Sequence, residues 1–291
     1  MPPIRLIATD LDGTLLREDG GISPRTRAAI AGAQAAGLVV VFVTARPPRD
    51  VAAIAEHLGV TGIAVCSNGA IVQDLATGET HRHVRLCSDL ARDLVVELRL
   101  AEPGISFATE HGHKIGQEPG FPDFFADTVH HHAPLVDDAV VLCGEDLTKL
   151  LIHHVDHGAE ALMHRVRGHA GDRAEVIWSG GPFIEIAPSG VSKGAGLAAF
   201  CESLGIVAAE VVAFGDMPND LAMLAFAGRG VAVANAHADV LAAADEVTAS
   251  STRTAWRGSS RRCSRSRPQS VTLFDRARGS IRTASHARRS P

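Results

Sequence analysis

Two carboxylates, Asp10 and Asp12, stand in the run Asp10-Leu11-Asp12-Gly13-Thr14. Residues 4–9 before them are apolar and β-branched and read as a buried strand that ends in a glycine turn. Strand alternation puts positions two apart on one side. Ligands of an open α/β sheet bind beyond the carboxyl ends of its strands, so both acids face a cleft. Like charges held this close repel unless a cation or a proton lies between them. A hard divalent ion such as Mg²⁺, which takes carboxylate oxygens and keeps several waters, suits the pair. Asp-Gly is also a common surface-turn dipeptide, so the rest of the chain must decide.

Three later stretches bear on that decision. Thr44 closes the apolar run 38–43, and a hydroxyl at a strand end beside unpaired backbone N–H groups suits a phosphate oxygen. Ser192 fits the N-cap of a helix that would start at Lys193 and turn that ammonium to the cleft. Gly215-Asp216-Met217-Pro218-Asn219-Asp220 ends another apolar run, 210–214. Gly194-x-Gly196 is not a nucleotide fingerprint, because the third glycine and the preceding glycine turn are missing.

In order, these stretches resemble the four motifs of the haloacid dehalogenase-like (HAD) phosphohydrolases. Asp10–Thr14 is similar to the first motif, Thr44 to the second, Gly190-Val191-Ser192-Lys193-Gly194 to the third and residues 215–220 to the fourth. Ser67-Asn68-Gly69-Ala70 resembles the "NGA" turn of the Cof-type branch. The resemblance spans about 250 residues. It implies that Asp10 attacks phosphorus and forms an aspartyl-phosphate. Asp12 would protonate the leaving oxygen and then activate water. Lys193 would pair with the nucleophile and the phosphoryl oxygens. Thr44, Asn219 and the backbone N–H groups of Leu11 and Ala45 would hold the phosphate, with tying of its own loop as the other role for Asn219. Asp10, Asp12 (by its carbonyl) and Asp216 would hold Mg²⁺, and Asp220 would sit behind them or bind through water. Arg46 reads as a salt-bridging or cleft-mouth residue.

The elements that must position these groups follow from pattern. Ser23-Pro24 opens a helix to about residue 36; strands at 38–43 and 63–66 flank a helix at 50–58, and a hairpin spans 70–85. Past about residue 84 the texture changes to a helix at 88–100 and short strands broken by Pro and Gly. The fold expected is α/β, a Rossmann-like doubly wound core of residues 1–83 and 184–250. An α+β domain, residues 84–183, interrupts it, and the resemblance implies that this is a cap of the C2B type. Such a cap excludes water and confers specificity.

Composition narrows the class. With 291 residues there is room for one or two domains and a sizeable core. No apolar run approaches the length of a membrane span and no secretory leader is evident. The five cysteines, Cys66, Cys87, Cys143, Cys201 and Cys263, are scattered without a Cys-x-x-Cys pair, which predicts a reducing cytoplasm. His130, His131, His132, His153, His154 and His157 are conspicuous, but 149–153 reads as a strand, which breaks the helical spacing that a zinc site on His153 and His157 would need.

Charge is uneven. Residues 1–250 hold 17 Lys and Arg against 32 Asp and Glu, whereas 251–291 hold 11 Arg and one acid. Relatives of this type continue Thr-Ala-Ser into Asn-(Asp/Glu)-Asp-Gly-Val. Here Thr248-Ala249-Ser250 runs into Ser251-Thr252-Arg253. One choice of codons for 251 onward, read in another frame, gives Asn-Glu-Asp-Gly-Val-Ala-Arg-Val-Ile-Glu. The tail therefore reads as a frameshifted segment, and its Arg/Ser-rich composition predicts disorder. The alternative is a genuine basic tail for nucleic acid or acidic surfaces.

The expectation is a cytoplasmic Mg²⁺-dependent hydrolase of small phosphomonoesters, such as sugar phosphates or cofactor precursors, acting as a monomer or homodimer. A phosphomutase and a catalytically silent binding protein are the alternatives.

Overall fold

The computed structural model describes residues 2–124 and 135–250. His130, His131, His132, Cys263 and the basic tail lie outside the described residues.

The strands, in chain order, are β1 (Leu6–Thr9), β2 (Val39–Val43), β3 (Ile63–Cys66), β4 (Ile71–Asp74), β5 (Thr80–His83), β6 (Ile105–His111), β7 (Lys114–Gln117), β8 (Leu135–Val136), β9 (Lys149–His154), β10 (Ala174–Ile177), β11 (Ile184–Pro188), β12 (Val211–Gly215), β13 (Arg229–Val233) and β14 (Glu246–Thr248). The helices are α1 (Pro24–Ala35), α2 (Pro48–Leu58), α3 (Ser88–Ala101), α4 (Ala139–Leu142), α5 (Ala159–Ala170), α6 (Lys193–Ser203), α7 (Leu221–Phe226) and α8 (Ala238–Ala243).

Two sheets result. The first runs β14-β13-β12-β1-β2-β3-β4-β5. It is parallel from β14 to β3, and the β4–β5 hairpin adds an antiparallel edge. Side-chain alternation explains why helices cover both faces. Ile7, Val40 and Phe42 pack under Ile30, Val51 and Ala55 of α1 and α2. Leu6, Ala8, Val41 and Val43 pack under Leu197, Cys201, Met223 and Leu224 of α6 and α7. Ser23 caps α1 by accepting from Thr26 N–H at 3.0 Å, and Ser192 caps α6 by accepting from Ala195 N–H at 3.1 Å.

The second sheet runs β10-β11-β9-β6-β7-β8. One face is apolar: Phe107, Leu150, Ile152, Ile184 and Ile186 lie under Leu94, Leu98, Leu162 and Val166 of α3 and α5. The alternate residues Glu110, Lys149 and Glu185 project to the other face. They are buried there, with Lys149 against Ala45 O and Glu185 against Asn68 on loops at the carboxyl ends of β2 and β3. The second sheet takes in β11 to Pro188, so residues 184–188, expected in the core, belong to the cap sheet; α6 is the first element back on the core. No helix among the described residues is long and apolar enough to cross a membrane.

Candidate active site

β1 is flanked by β12 and β2, so the chain leaves the sheet to opposite sides at its carboxyl end. Asp10 sits there, its N–H bonded to Phe214 O at 3.0 Å. The chain then turns through Gly13, whose φ is +77°. A Cβ at Gly13 would lie 2.3 Å from Asp216 Oδ2, so glycine is required both by conformation and by space. Asn235 Nδ2 donates to Gly13 O at 2.8 Å and holds the turn from β13's far end.

Four charged groups converge. Lys193 Nζ donates to Asp10 Oδ1 at 2.7 Å and to Asp220 Oδ1 at 2.6 Å. Asp220 Oδ2 accepts from the N–H groups of Asp216 and Met217 at 2.9 and 3.0 Å. Thr14 Oγ1 donates to Asp216 Oδ1 at 2.8 Å. Asp10, Lys193, Asp216 and Asp220 are all buried. Burial raises the Asp10 carboxyl well above the usual range, against the pull of Lys193. Burial also pushes Asp216 up to about 6, with the Thr14 hydroxyl opposing. Burial alone would lower the Lys193 ammonium, but Asp10 and Asp220 raise it above its ordinary value. The cluster thus carries more negative charge than one ammonium balances.

Oxygens of Asp10, Asp216 and Asp220 lie within 4.8 Å of one another. A buried, all-oxygen donor set with surplus negative charge fits a hard divalent cation. Asp12 is not in this cluster. Its carboxylate is half-exposed and bound by Arg46, Nε to Oδ2 and Nη2 to Oδ1, both at 2.7 Å. That pairing raises the Arg46 pKa.

Thr44 is buried at the end of β2, and its Oγ1 accepts from Arg46 N–H at 3.1 Å. Asn219 Nδ2 donates to Asn68 Oδ1 at 2.9 Å, a tie between loops. Leu11 is buried next to Asp10, and Ala45 O accepts from Lys149 Nζ at 2.9 Å. A cavity of about 420 Å³ opens over these groups, with Asp10, Thr44 and Lys193 on one wall and Glu185, Phe124 and Phe183 on the other.

Sequence reading missed Glu110, Lys149 and Glu185. The available signal was a charge placed among apolar neighbours on a buried strand: Lys149 before Leu150-Leu151-Ile152, and Glu185 between Ile184 and Ile186. Nor did it connect Glu102 with His154 and His157, which the fold gathers where β6 begins and β9 ends. There Arg165 holds Glu102, while His154 Nε2 meets Pro103 O at 2.9 Å and its Nδ1 accepts from Asp156 N–H at 3.0 Å. These bonds engage both His154 nitrogens and make the trio a packed polar cluster.

A family model described as haloacid dehalogenase-like hydrolase matches residues 7–255. The 5-amino-6-(5-phospho-D-ribitylamino)uracil phosphatase YitU of Bacillus subtilis is 35% identical over 259 residues, which span 84% of this chain and 92% of that protein. An HMP-PP phosphatase of Yersinia enterocolitica is 30% identical over 241 residues, 80% of this chain and 84% of that one. A haloacid dehalogenase-like hydrolase from Bacteroides thetaiotaomicron superposes with a TM-score of 0.70 at 26% identity, covering 85% of this chain and 95% of its own. Another from B. subtilis gives a TM-score of 0.74 at 25% identity with the same coverage. The motifs, the two-sheet fold and these matches agree: the chain belongs to the haloacid dehalogenase-like hydrolases.

Proposed function

We propose that the chain hydrolyses small phosphomonoesters through an aspartyl-phosphate on Asp10, with Mg²⁺. The observation that carries this is the buried contact of Lys193 with both Asp10 and Asp220 at the end of β1, beside Asp216. Asp10 and Asp216 are the carboxylates that would hold the ion, with the Asp12 carbonyl. Asp220 spends its oxygens on Lys193 and on two backbone N–H groups, so it fixes the loop behind them. Bound there, the ion would screen the approach of phosphate to Asp10.

Asp10 attacks phosphorus in line, and the bond to the leaving oxygen breaks. Asp12, in its protonated form, donates the proton that the leaving oxygen takes, and Arg46 orients the carboxylate that this leaves. It then accepts a proton from water, whose oxygen attacks phosphorus and frees Asp10. Lys193 holds the Asp10 oxygens and stabilises the phosphoryl charge. Thr44, the N–H groups of Leu11 and Ala45, and the second amide hydrogen of Asn219 orient the phosphoryl oxygens. The named activities of YitU and of the HMP-PP phosphatases support phosphorylated small metabolites as the substrate class.

The test is a screen of sugar phosphates, phosphorylated pyrimidines and p-nitrophenyl phosphate, read as released phosphate with and without Mg²⁺. Asp10→Asn should cost at least about a thousandfold in kcat. Turnover that survives in Asp10→Asn, or product in which the phosphoryl group has moved to another oxygen of the substrate, would overturn the reading.

A further inference from the structure

The three consecutive carbonyls of Thr44, Ala45 and Arg46 are each claimed by a donor from elsewhere. Asn68 N–H donates to Thr44 O at 3.0 Å, and Ser67 N–H to Arg46 O at 2.9 Å. Both donors come from the first sheet's own turn. Ser67 and Asn68 reach them in left-handed backbone, with φ of +49° and +54°, a conformation that costs energy for residues other than glycine. The middle carbonyl, Ala45 O, is taken by Lys149 Nζ at 2.9 Å, and Lys149 starts β9 in the other sheet.

A peptide plane is rigid, and its C=O and N–H point in opposite directions. Fixing Ala45 O therefore fixes Arg46 N–H, which donates to Thr44 Oγ1 at 3.1 Å. The same residue carries the guanidinium that holds Asp12. One ammonium thus bears on the Thr44 hydroxyl and on the base of Arg46.

Lys149 is itself tightly held. It pairs with Glu185 at 3.1 Å and with Glu110 at 3.5 Å. Asn68 Nδ2 donates to Glu185 Oε2 at 2.8 Å, and Asn219 in turn donates to Asn68. Arg49 joins Glu110 at 3.0 Å. A buried ion network contributes little net stability as such, since desolvation offsets its attraction. Its placement is therefore informative: Lys149 ends on the loop of Thr44, and Glu185 reaches the loop of Asn219 through Asn68.

We propose that Lys149 is a positioning residue for phosphoryl transfer, the donor through which the cap sheet locks residues 44–46 and aims the Thr44 hydroxyl. The chemistry rests on the phosphatase reading above; the lock itself is measurable without it.

The experiment uses the full chain and two variants. Lys149→Met removes the donor but strands Glu110 and Glu185. Lys149→Met/Glu185→Gln relieves part of that burden and guards against simple unfolding. Amide exchange of Arg46, followed by NMR, should speed up at least about tenfold in either folded variant, while β1 amides keep the parent rate. With p-nitrophenyl phosphate and Mg²⁺, kcat should fall about 10- to 100-fold and KM should stay within about threefold. A folded double variant with parental Arg46 exchange and parental kcat overturns the proposal, and so does failure of both variants to fold, which would make Lys149 a structural residue only. If the parent shows no Mg²⁺-dependent turnover, the phosphatase reading fails, and the exchange rates still decide the lock.

Discussion

Arg46 grips Asp12 in a two-pronged ion pair, with both hydrogen bonds at 2.7 Å, at the mouth of the cavity that opens over Asp10. The planar fork of a guanidinium matches a carboxylate in a way that a lysine cannot. Arg46→Lys should therefore lower kcat/KM for p-nitrophenyl phosphate by about tenfold, through loss of orientation of Asp12. The pair is partly exposed, so the melting temperature should move little. A large stability loss with unchanged kinetics would contradict this.

Lys193 has the opposite character. It is buried against two carboxylates, Asp10 and Asp220. Lys193→Met should cost about 3–5 kcal/mol of stability, because it leaves Asp10 and Asp220 as uncompensated charges. Denaturant unfolding measures this. Asp220→Asn in the same background should recover part of the loss, since one of the stranded charges is gone.

The pH dependence of metal-free protein follows from the raised acids. Asp216 titrates near 6 in the fold, against 3.8 unfolded. A folded value above the unfolded one gives stability that is present below the unfolded pKa and lost as pH rises through the folded one. Metal-free protein should thus lose stability between roughly pH 4 and 6 on account of this group. Mg²⁺ binds the ionised form, so the rise in melting temperature on adding Mg²⁺ should be larger at pH 7.5 than at pH 5. Equal increments at both values would count against the acid cluster as the metal's seat.

Gly69 joins the strained Ser67-Asn68 turn to the start of α6. Its φ is +101°, and a Cβ there would stand 2.1 Å from Ser192 O. Gly69→Ala should cost roughly 2 kcal/mol or more. It should also impair catalysis, because Ser192 precedes Lys193 and neither can shift alone. Thermal unfolding and Mg²⁺-dependent turnover of one preparation test both halves.

Much of this was legible in the linear text because local chemistry marks it. Ser23 and Ser192 announced their helices by their type and position, and β3 was bounded by the apolar run that builds it. Asp10, Lys193, Asp216 and Asp220 stood out because each lies at a strand end or a helix start, and the fold brings their side chains together. Lys149 and Glu185 were not, since their meaning lies in cross-strand registration: Glu110 pairs with Lys149, and Glu185 with Leu151, on one face of a sheet whose order no local pattern reveals. The end of the cap was missed for a related reason. Residues 184–188 are as apolar as a core strand, and only their pairing with β9 and β10 assigns them to the other sheet.

Asp10 and the ammonium that it meets are separated by 183 residues, and Thr14 from Asp216 by 202. The second sheet, by contrast, is drawn from one continuous stretch, β6 to β11. During synthesis that insert can collapse while Asp10 is still waiting for its counter-ion, since domains fold as units in the order they emerge. A nascent chain halted before α6 thus displays an unneutralised acid at the end of β1. The buried cluster of Asp10, Lys193 and Asp220 can close only once the last third of the polypeptide has begun to emerge.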